Sequence, residues 1–379
     1  MAVPEAHDPV DDWARSGAMA LTGRPDGPPL LPPGRAASFL REQLAALGLA
    51  LPGLLGERAA YAGFTRNAPW SCGGAFRILT TCDGHVGLSL ARPSDVELVP
   101  ALVEADAAEP WAAVAAWAET VPTAVAAERI RLLGLPGGAV PAEPTGPDEP
   151  DARSGVVATT LGRRTPSGPP LVVDLTSLWA GPLCAHLLGL RGARVVKVET
   201  PTRPDGARRG PAAFFELLHA GHDQISLELG SGELRRLLER ADLVLEASRP
   251  RALRQAGIVA EEYVARGTSW LSITARGRAS DAVGFGDDVA ASAGLVVASE
   301  GELLPAGDAM ADPLAGVAAA VAATEALGSE EARLIDVSML HVAASTAGRT
   351  PDHQVVRRGA QWWVEYDGGA SRVLPARTR

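Results

Sequence analysis

The sequence predicts an α/β protein, with an open parallel sheet in the C-terminal half and a smaller α/β region ahead of it. Three observations carry that reading. Leu171–Glu199 (LVVDLTSLWAGPLCAHLLGLRGARVVKVE) runs strand, tight turn, helix, strand. Short apolar runs then alternate with amphipathic ones as far as Thr274, the pattern of a parallel sheet covered on both faces. Residues 136–170 are crowded with Pro, Gly and charge, and so separate two halves. Together these describe a Rossmann-like sheet, a form that binds ligands beyond the carboxyl ends of its strands.

Taken in order, Ala36–Leu47 has apolar residues three and four apart and Gly48 as a stop, so it predicts a helix. Phe76–Thr81 and His85–Leu90 flank Asp83-Gly84 and predict a hairpin. Helices are expected at Ser94–Ala105, Trp111–Glu119 and Ala124–Leu133. Residues 141–168 read as a linker between a region at 1–140 and a domain at 169–379. Beyond it, strands are expected at Leu171–Leu175, Arg194–Glu199, Gln224–Leu229, Leu243–Glu246 and Trp270–Thr274, and helices at Gly181–Leu190, Gly232–Glu239 and Ala309–Leu327.

The chain has 379 residues, is 46% hydrophobic and carries a net charge of −10. That acidity does not suit non-specific binding of nucleic acid. The start, MAVPEAHDPVDDW, lacks a basic and an apolar signal region, and the Ala-rich stretch Leu314–Ala323 is far shorter than the ~20 residues of a bilayer span. A soluble cytoplasmic protein without membrane contact is expected. Cys72, Cys82 and Cys184 are odd in number and widely spaced, so they indicate neither a zinc site nor a disulfide framework. Lys197 is the only lysine and lies inside a strand-like run, where it reads as a residue covering a sheet edge.

The turn Ala180-Gly181-Pro182 lacks the glycines of a dinucleotide loop, although Glu199 stands where an acid would hold a ribose. No phosphate-loop signature occurs, and neither NAD nor a metal is expected. His219 and His222 are three apart beside Asp223, with no third metal ligand nearby, and read as a turn. Ser71-Cys72-Gly73-Gly74 has no histidine placed to activate Cys72 and reads as a loop. Gly284–Gly294 is the leading site candidate, because glycines flank Asp287 and Asp288 at a helix start. Such an Asp is either a cap or a nucleophile served by backbone amides. Asp308 and Asp312 mark a second acidic helix start. Asp11–Leu21 echoes Asp287–Val297 in the pattern D-D-x-A-x-S.

Several segments, in order, resemble the family III coenzyme A transferases and the related α-methylacyl-CoA racemases. Val172–Pro182 looks like V-L-D-x-[ST]-x-x-x-A-G-P, and Gly192–Glu199 like G-A-x-V-I-K-V-E. Ile225–Glu228 and Ala241–Pro250 are similar to v-x-L-D and A-D-V-x-x-E-N-F-R-P. Gly286-Asp-Asp288 resembles G-[YF]-D, and Ala311-Asp312 and Ile335–Ser338 resemble the later A-D and V-D-V-S signatures. Ser16–Pro28 and Thr81–Leu88 resemble further family pieces in swapped order. Trp179 stands where many transferases have a polar residue, and His222-Asp223 replaces a basic pair.

The resemblance implies an acyl-CoA:carboxylate CoA-transferase acting through an aspartyl-CoA thioester on Asp288, with Asp287 as a second candidate. It implies contacts to CoA or its acyl group from Thr176, Trp179, Ala180, Glu199, Arg249 and Gly286. It implies acyl-CoA and a carboxylic acid as substrates and an interlocked homodimer. Racemase, isomerase or lyase chemistry on the same scaffold, or a CoA-binding subunit without catalysis, stay open as alternatives.

Overall fold

A computed structural model describes residues 8–142, 155–166, 168–248 and 250–379. A small antiparallel sheet comes first, made of β1 (Phe76–Thr80), β2 (His85–Ser89) and β3 (Gly137–Val140). The expected hairpin is its first two strands. Leu79, Val86, Leu88, Leu102, Val114 and Ile130 fill its core. The helix expected over 94–105 is broken into Pro93–Glu97 and Val99–Val103, because Pro100 has no N–H to continue the ladder.

The main sheet takes β4 (Val156–Arg163), β5 (Leu171–Asp174), β6 (Arg194–Glu199), β7 (Asp223–Ser226), β8 (Leu243–Glu246) and β9 (Ser269–Thr274). A hairpin of β10 (Val296–Ser299) and β11 (Glu302–Pro305) intervenes before the last member, β12 (Glu331–Ser338). The order is β4-β12-β9-β8-β5-β6-β7, parallel except for β4 at the edge. The chain runs outward from β5 in one direction through β6 and β7, then returns to the other side of β5 as β8. The carboxyl ends of β5 and β8 are therefore the switch point, where neighbouring crossovers leave a crevice. A last sheet joins β13 (Gln354–Arg358), β14 (Gln361–Tyr366) and β15 (Gly369–Arg372).

Strand residues alternate between two apolar layers, as a period of two requires. Val172, Val195, Leu245, Ile273 and Ile335 face a core shared with the helices Ala180–Leu190 and Ala311–Leu327. Val173, Val196, Val244 and Trp270 face another, with Leu234, Leu238 and Val264. Two expectations about organisation differ from this arrangement. Residues 156–163, expected in the linker, form β4, because the β-branched run VVATT pairs with β12 and finds there its backbone partners; residues 143–154 and 167 of that stretch lie outside the described residues. The boundary near 140 does not bound the core either, since Val10, Trp13, Leu40 and Leu44 are buried in the same cluster as Leu314 and Val317.

The helices Ala180–Leu190 and Ala311–Leu327 touch through small residues. A Cβ on Gly316 would lie 2.6 Å from the Ala180 carbonyl oxygen, closer than any side-chain carbon can come. Gly316→Val is expected to destabilise the protein by about 1–3 kcal/mol, the usual cost of overpacking. Urea unfolding checks this; an unchanged midpoint would mean the two helices can separate freely.

Candidate active site

The turn after β5 is locked from below. Asp174 Oδ1 accepts the Thr176 amide at 2.8 Å and its hydroxyl. Lys197 is fully buried: Nζ pairs with Asp205 at 2.9 Å, lies 3.7 Å from Asp174 and donates to the Thr176 carbonyl. This corrects the reading of Lys197 as a sheet-edge cover. A buried ammonium is tolerated because two carboxylates and a carbonyl satisfy it. Asp205 also accepts the Leu178 amide at 2.9 Å, which holds Leu178 at φ 73°. Gly181 is required next, since a Cβ there would fall 2.2 Å from the Thr176 side chain.

Four carboxylates gather where this turn meets the starts of the helices Gly286–Ser292 and Ala311–Leu327. Asp308 is fully buried and takes Arg58 bidentately, Nε to Oδ2 at 2.9 Å and Nη2 to Oδ1. The Cys72 thiol donates to Asp308 Oδ1 at 3.3 Å. Asp287 accepts the Ala309 amide at 2.8 Å and the Ser71 hydroxyl. Asp312 is half-buried and accepts the Ala180 amide. A Cβ on Gly286 would lie 2.3 Å from Asp312 Oδ2, so glycine alone leaves room for that carboxylate. Ala309, between Asp308 and Asp312, is held at φ 44°. With Leu178, it is one of two non-glycine residues in the left-handed region that flank this corner, each at a cost on the order of 1 kcal/mol or more.

Burial raises these acids. Asp287 goes up to about 6, through burial and then the charge of Asp308, opposed by Arg58. Asp312 goes up to about 7, through burial first, with Arg58 opposing and the charges of Asp287 and Asp308 adding. Asp288 goes to about 7, again through burial, with the Phe285 amide and Ser89 hydroxyl opposing. Burial works against the charge of Arg58, but Asp308 outweighs it and holds the guanidinium charged. Burial, then Asp308, pushes the Cys72 thiol well up.

Asp288 has a structural task. Its Oδ1 accepts Ser89 Oγ at 2.9 Å and the Phe285 amide at 3.0 Å, with the side chain 2% exposed at most as part of the residue. It caps its own helix from the third position and ties that helix to β2. Trp179 is 3% exposed, meets Phe214 edge-to-face and lies under Arg58, 5.2 Å from ring centre to guanidinium carbon. Its indole nitrogen has no partner among the described residues. Glu199 ends β6 and is held down to about 2 by Arg208 and the Asp205 amide. Arg249 lies outside the described residues.

Residues 170–362 match CoA-transferase family III. The chain belongs to this family. A succinyl-CoA–D-citramalate CoA-transferase of Chloroflexus aurantiacus is 27% identical over 208 residues, 48% of this chain and 52% of that protein. A succinyl-CoA:mesaconate CoA-transferase of Haloarcula hispanica is 39% identical over 89 residues, 20% of this chain and 22% of that protein. A solved CaiB/BaiF family protein from Brucella suis is 21% identical with a TM-score of 0.47, covering 54% of this chain and 66% of that one. The chain thus spans about half the length, or less, of the curated relatives it matches.

In this family III chain the structure brings Thr176, Ala180, Gly286, Asp287 and Asp312 to one corner, with Trp179 beside them. Arg58 carries no signal in the sequence, and Cys72, which reads there as a loop residue, gives no sign of its contact; their partner lies 250 and 236 residues away, and no local pattern announces it. His219 lies in the turn expected for it, buried against Phe215 at a ring distance of 4.3 Å. Among the described residues no group of three His, Cys, Asp or Glu side chains is arranged for a metal. A cleft of about 260 Å³ opens beyond β6 and β7 along Glu199, Pro204, Arg208 and Gln224. A larger one, about 730 Å³, lies between Leu21, Ala59, Phe64, Arg66 and Arg377. None of Asp287, Asp288, Asp308 and Asp312 lines either cleft.

Carboxyls with raised pKa bind protons more readily in the folded than in the unfolded chain. Their contribution to stability is therefore greatest at low pH and is lost as pH rises through about 6 to 7. Asp312→Asn should stabilise more at pH 8 than at pH 5, by about 1–3 kcal/mol. Chemical unfolding at the two pH values measures it; an equal gain at both would show that Asp312 titrates normally.

Proposed function

We propose that this chain moves coenzyme A between carboxylic acids, and that the carboxylate carrying the acyl and CoA groups is Asp312 rather than Asp288. Family membership supports the reaction class. The choice of residue rests on one observation: Asp312 is a half-buried carboxylate at the switch-point corner that faces the space left by Gly286 and the first amide of the Ala180–Leu190 helix, whereas Asp287, also half-buried, takes the Ala309 amide and the Ser71 hydroxyl. Asp288 has its Oδ1 lone pairs committed to Ser89 and Phe285.

In the proposed reaction, an ionised Asp312 oxygen attacks the thioester carbonyl carbon. The C–S bond breaks and CoA leaves as thiolate, giving a mixed anhydride. The thiolate then attacks the aspartyl carbonyl and expels the first acid as its carboxylate, leaving an aspartyl-CoA thioester. The incoming carboxylate repeats the two steps in reverse. No net proton or redox change occurs, so positioning and amide dipoles supply the acceleration. The unpartnered Trp179 indole N–H and the amides at the start of the Ala180–Leu190 helix are the donors proposed for the oxyanion. The cleft along Glu199 and Arg208 is proposed for the nucleotide end of CoA, with Arg249 as a further phosphate contact; a guanidinium suits phosphate because its planar fork binds two oxygens.

Incubation with an acyl-CoA followed by hydroxylamine or borohydride is expected to label Asp312. Asp312→Ala should lower CoA transfer by about a thousandfold or more. Asp288→Ala should keep the label and lose about 1–3 kcal/mol of stability, because Ser89 and the Phe285 amide lose their acceptor. A label on Asp288 would reverse the assignment. Exchange of the acyl α-proton without transfer would replace the reaction by racemase-type chemistry.

A further inference from the structure

The corner holds three acids in mutual range, Asp287, Asp308 and Asp312, with Asp288 behind them. Such a group cannot ionise together in a low-dielectric site without a counter-charge. Among the described residues, the cation that acts most strongly on Asp312 comes from far away in sequence: Arg58, in the helix Glu57–Ala62. Its guanidinium is fixed on three sides. Asp308 grips it bidentately, the Trp179 ring lies 5.2 Å away and the Phe64 ring 5.8 Å away. The Arg58 side chain is 29% exposed, yet the bidentate grip of Asp308 and the two rings hold its guanidinium in place beside the acids.

We propose that Arg58 is a positioning residue for the transfer reaction: held by Asp308, Trp179 and Phe64, it supplies the counter-charge that lets Asp312 ionise and attack. This rests on the assignment of Asp312 above. The groups facing Asp312 and its neighbours are Arg58 from the Glu57–Ala62 helix, Cys72 from the loop before β1, Asp287 from the Gly286–Ser292 helix and Asp308 from the loop after β11. Cys72 donates its thiol hydrogen to Asp308 and stays neutral because burial raises it. Arg58 is therefore the one positive member of the set.

Infrared titration follows the Asp312 carboxyl as the protonated C=O band missing from the D312N protein. R58M is expected to raise its midpoint by about one pH unit, and R58K to bring it back to within about 0.3. D308N deletes a negative neighbour and frees the guanidinium, so it should move the midpoint the other way; this arm stands even where R58M fails to fold. The acid limb of the wild-type trapping rate should shift with the same midpoint in R58M, whereas a purely structural role would slow trapping at every pH and leave the midpoint alone. A midpoint unmoved in both R58M and D308N overturns the proposal. Midpoints that move as stated in a protein that never traps at Asp312 would instead reject the transfer assignment and leave the charge coupling intact.

Discussion

How closely the helices Ala180–Leu190 and Ala311–Leu327 approach decides what their shared corner can be. The approach is set by absence of side chain: Gly316 under the Ala180 carbonyl, Gly181 against Thr176 and Gly286 against Asp312. Ala315, Ala318, Ala319 and Ala323 continue the small-residue surface along one helix. Because the two helices start together, amides from one first turn meet a carboxylate from the other, as Ala180 meets Asp312. Unpaired amides at a helix start favour negative charge there. A wider spacing would leave Asp312 without that donor and give its place to water.

The same closeness makes the corner expensive to fold. Burial raises Asp287, Asp288 and Asp312, and neighbouring carboxylate charges add to it, while the Arg58 guanidinium opposes it at Asp287 and Asp312. Leu178 and Ala309 hold left-handed backbone on either side. None of this helps the sheet. It is sustained because the apolar layer that one face of the sheet shares with both helices fixes their starts independently of the corner. The Lys197–Asp205–Asp174 group meanwhile ties down the turn after β5. Stability and reactivity thus reside in different layers of one structure.

What sequence could reveal follows the range of each interaction. β5, β6, β8 and β9 are legible because each is a short apolar run between turn residues. β4 is not, because it sits among Pro and Gly and stays exposed at the sheet edge, so no burial pattern marks it. β12 hides because Glu331, Arg333 and Asp336 interrupt its apolar residues. Lys197 looks like an edge residue until Asp174 and Asp205 are brought to it by the fold. Asp288 and Asp312 look equivalent, each an acid at a helix start. A signal did exist: Asp288 lies three residues after Phe285, the spacing at which an acid reaches back to cap its own helix. Asp312 shows no such return bond and instead reaches another helix.

The N-terminal region then has a part that the family match does not cover. The matched stretch, 170–362, contains every strand of the main sheet except β4, and all four acids, yet Arg58, Ser71, Cys72 and Ser89 all come from before it. The echo between Asp11–Leu21 and Asp287–Val297 sharpens the contrast. Both segments open a helix, at Pro9–Arg15 and Gly286–Ser292, and both bury their second acid. Asp12 pairs with Arg41 at 3.0 Å, a cation of its own N-terminal region, whereas Asp288 and its neighbours draw their partners across the molecule. A parallel sheet can place carboxylates at its switch point by local folding alone. Supplying them with a cation and hydroxyls took chain from outside that sheet, so the matched region accounts for the fold more completely than for the electrostatics of its corner.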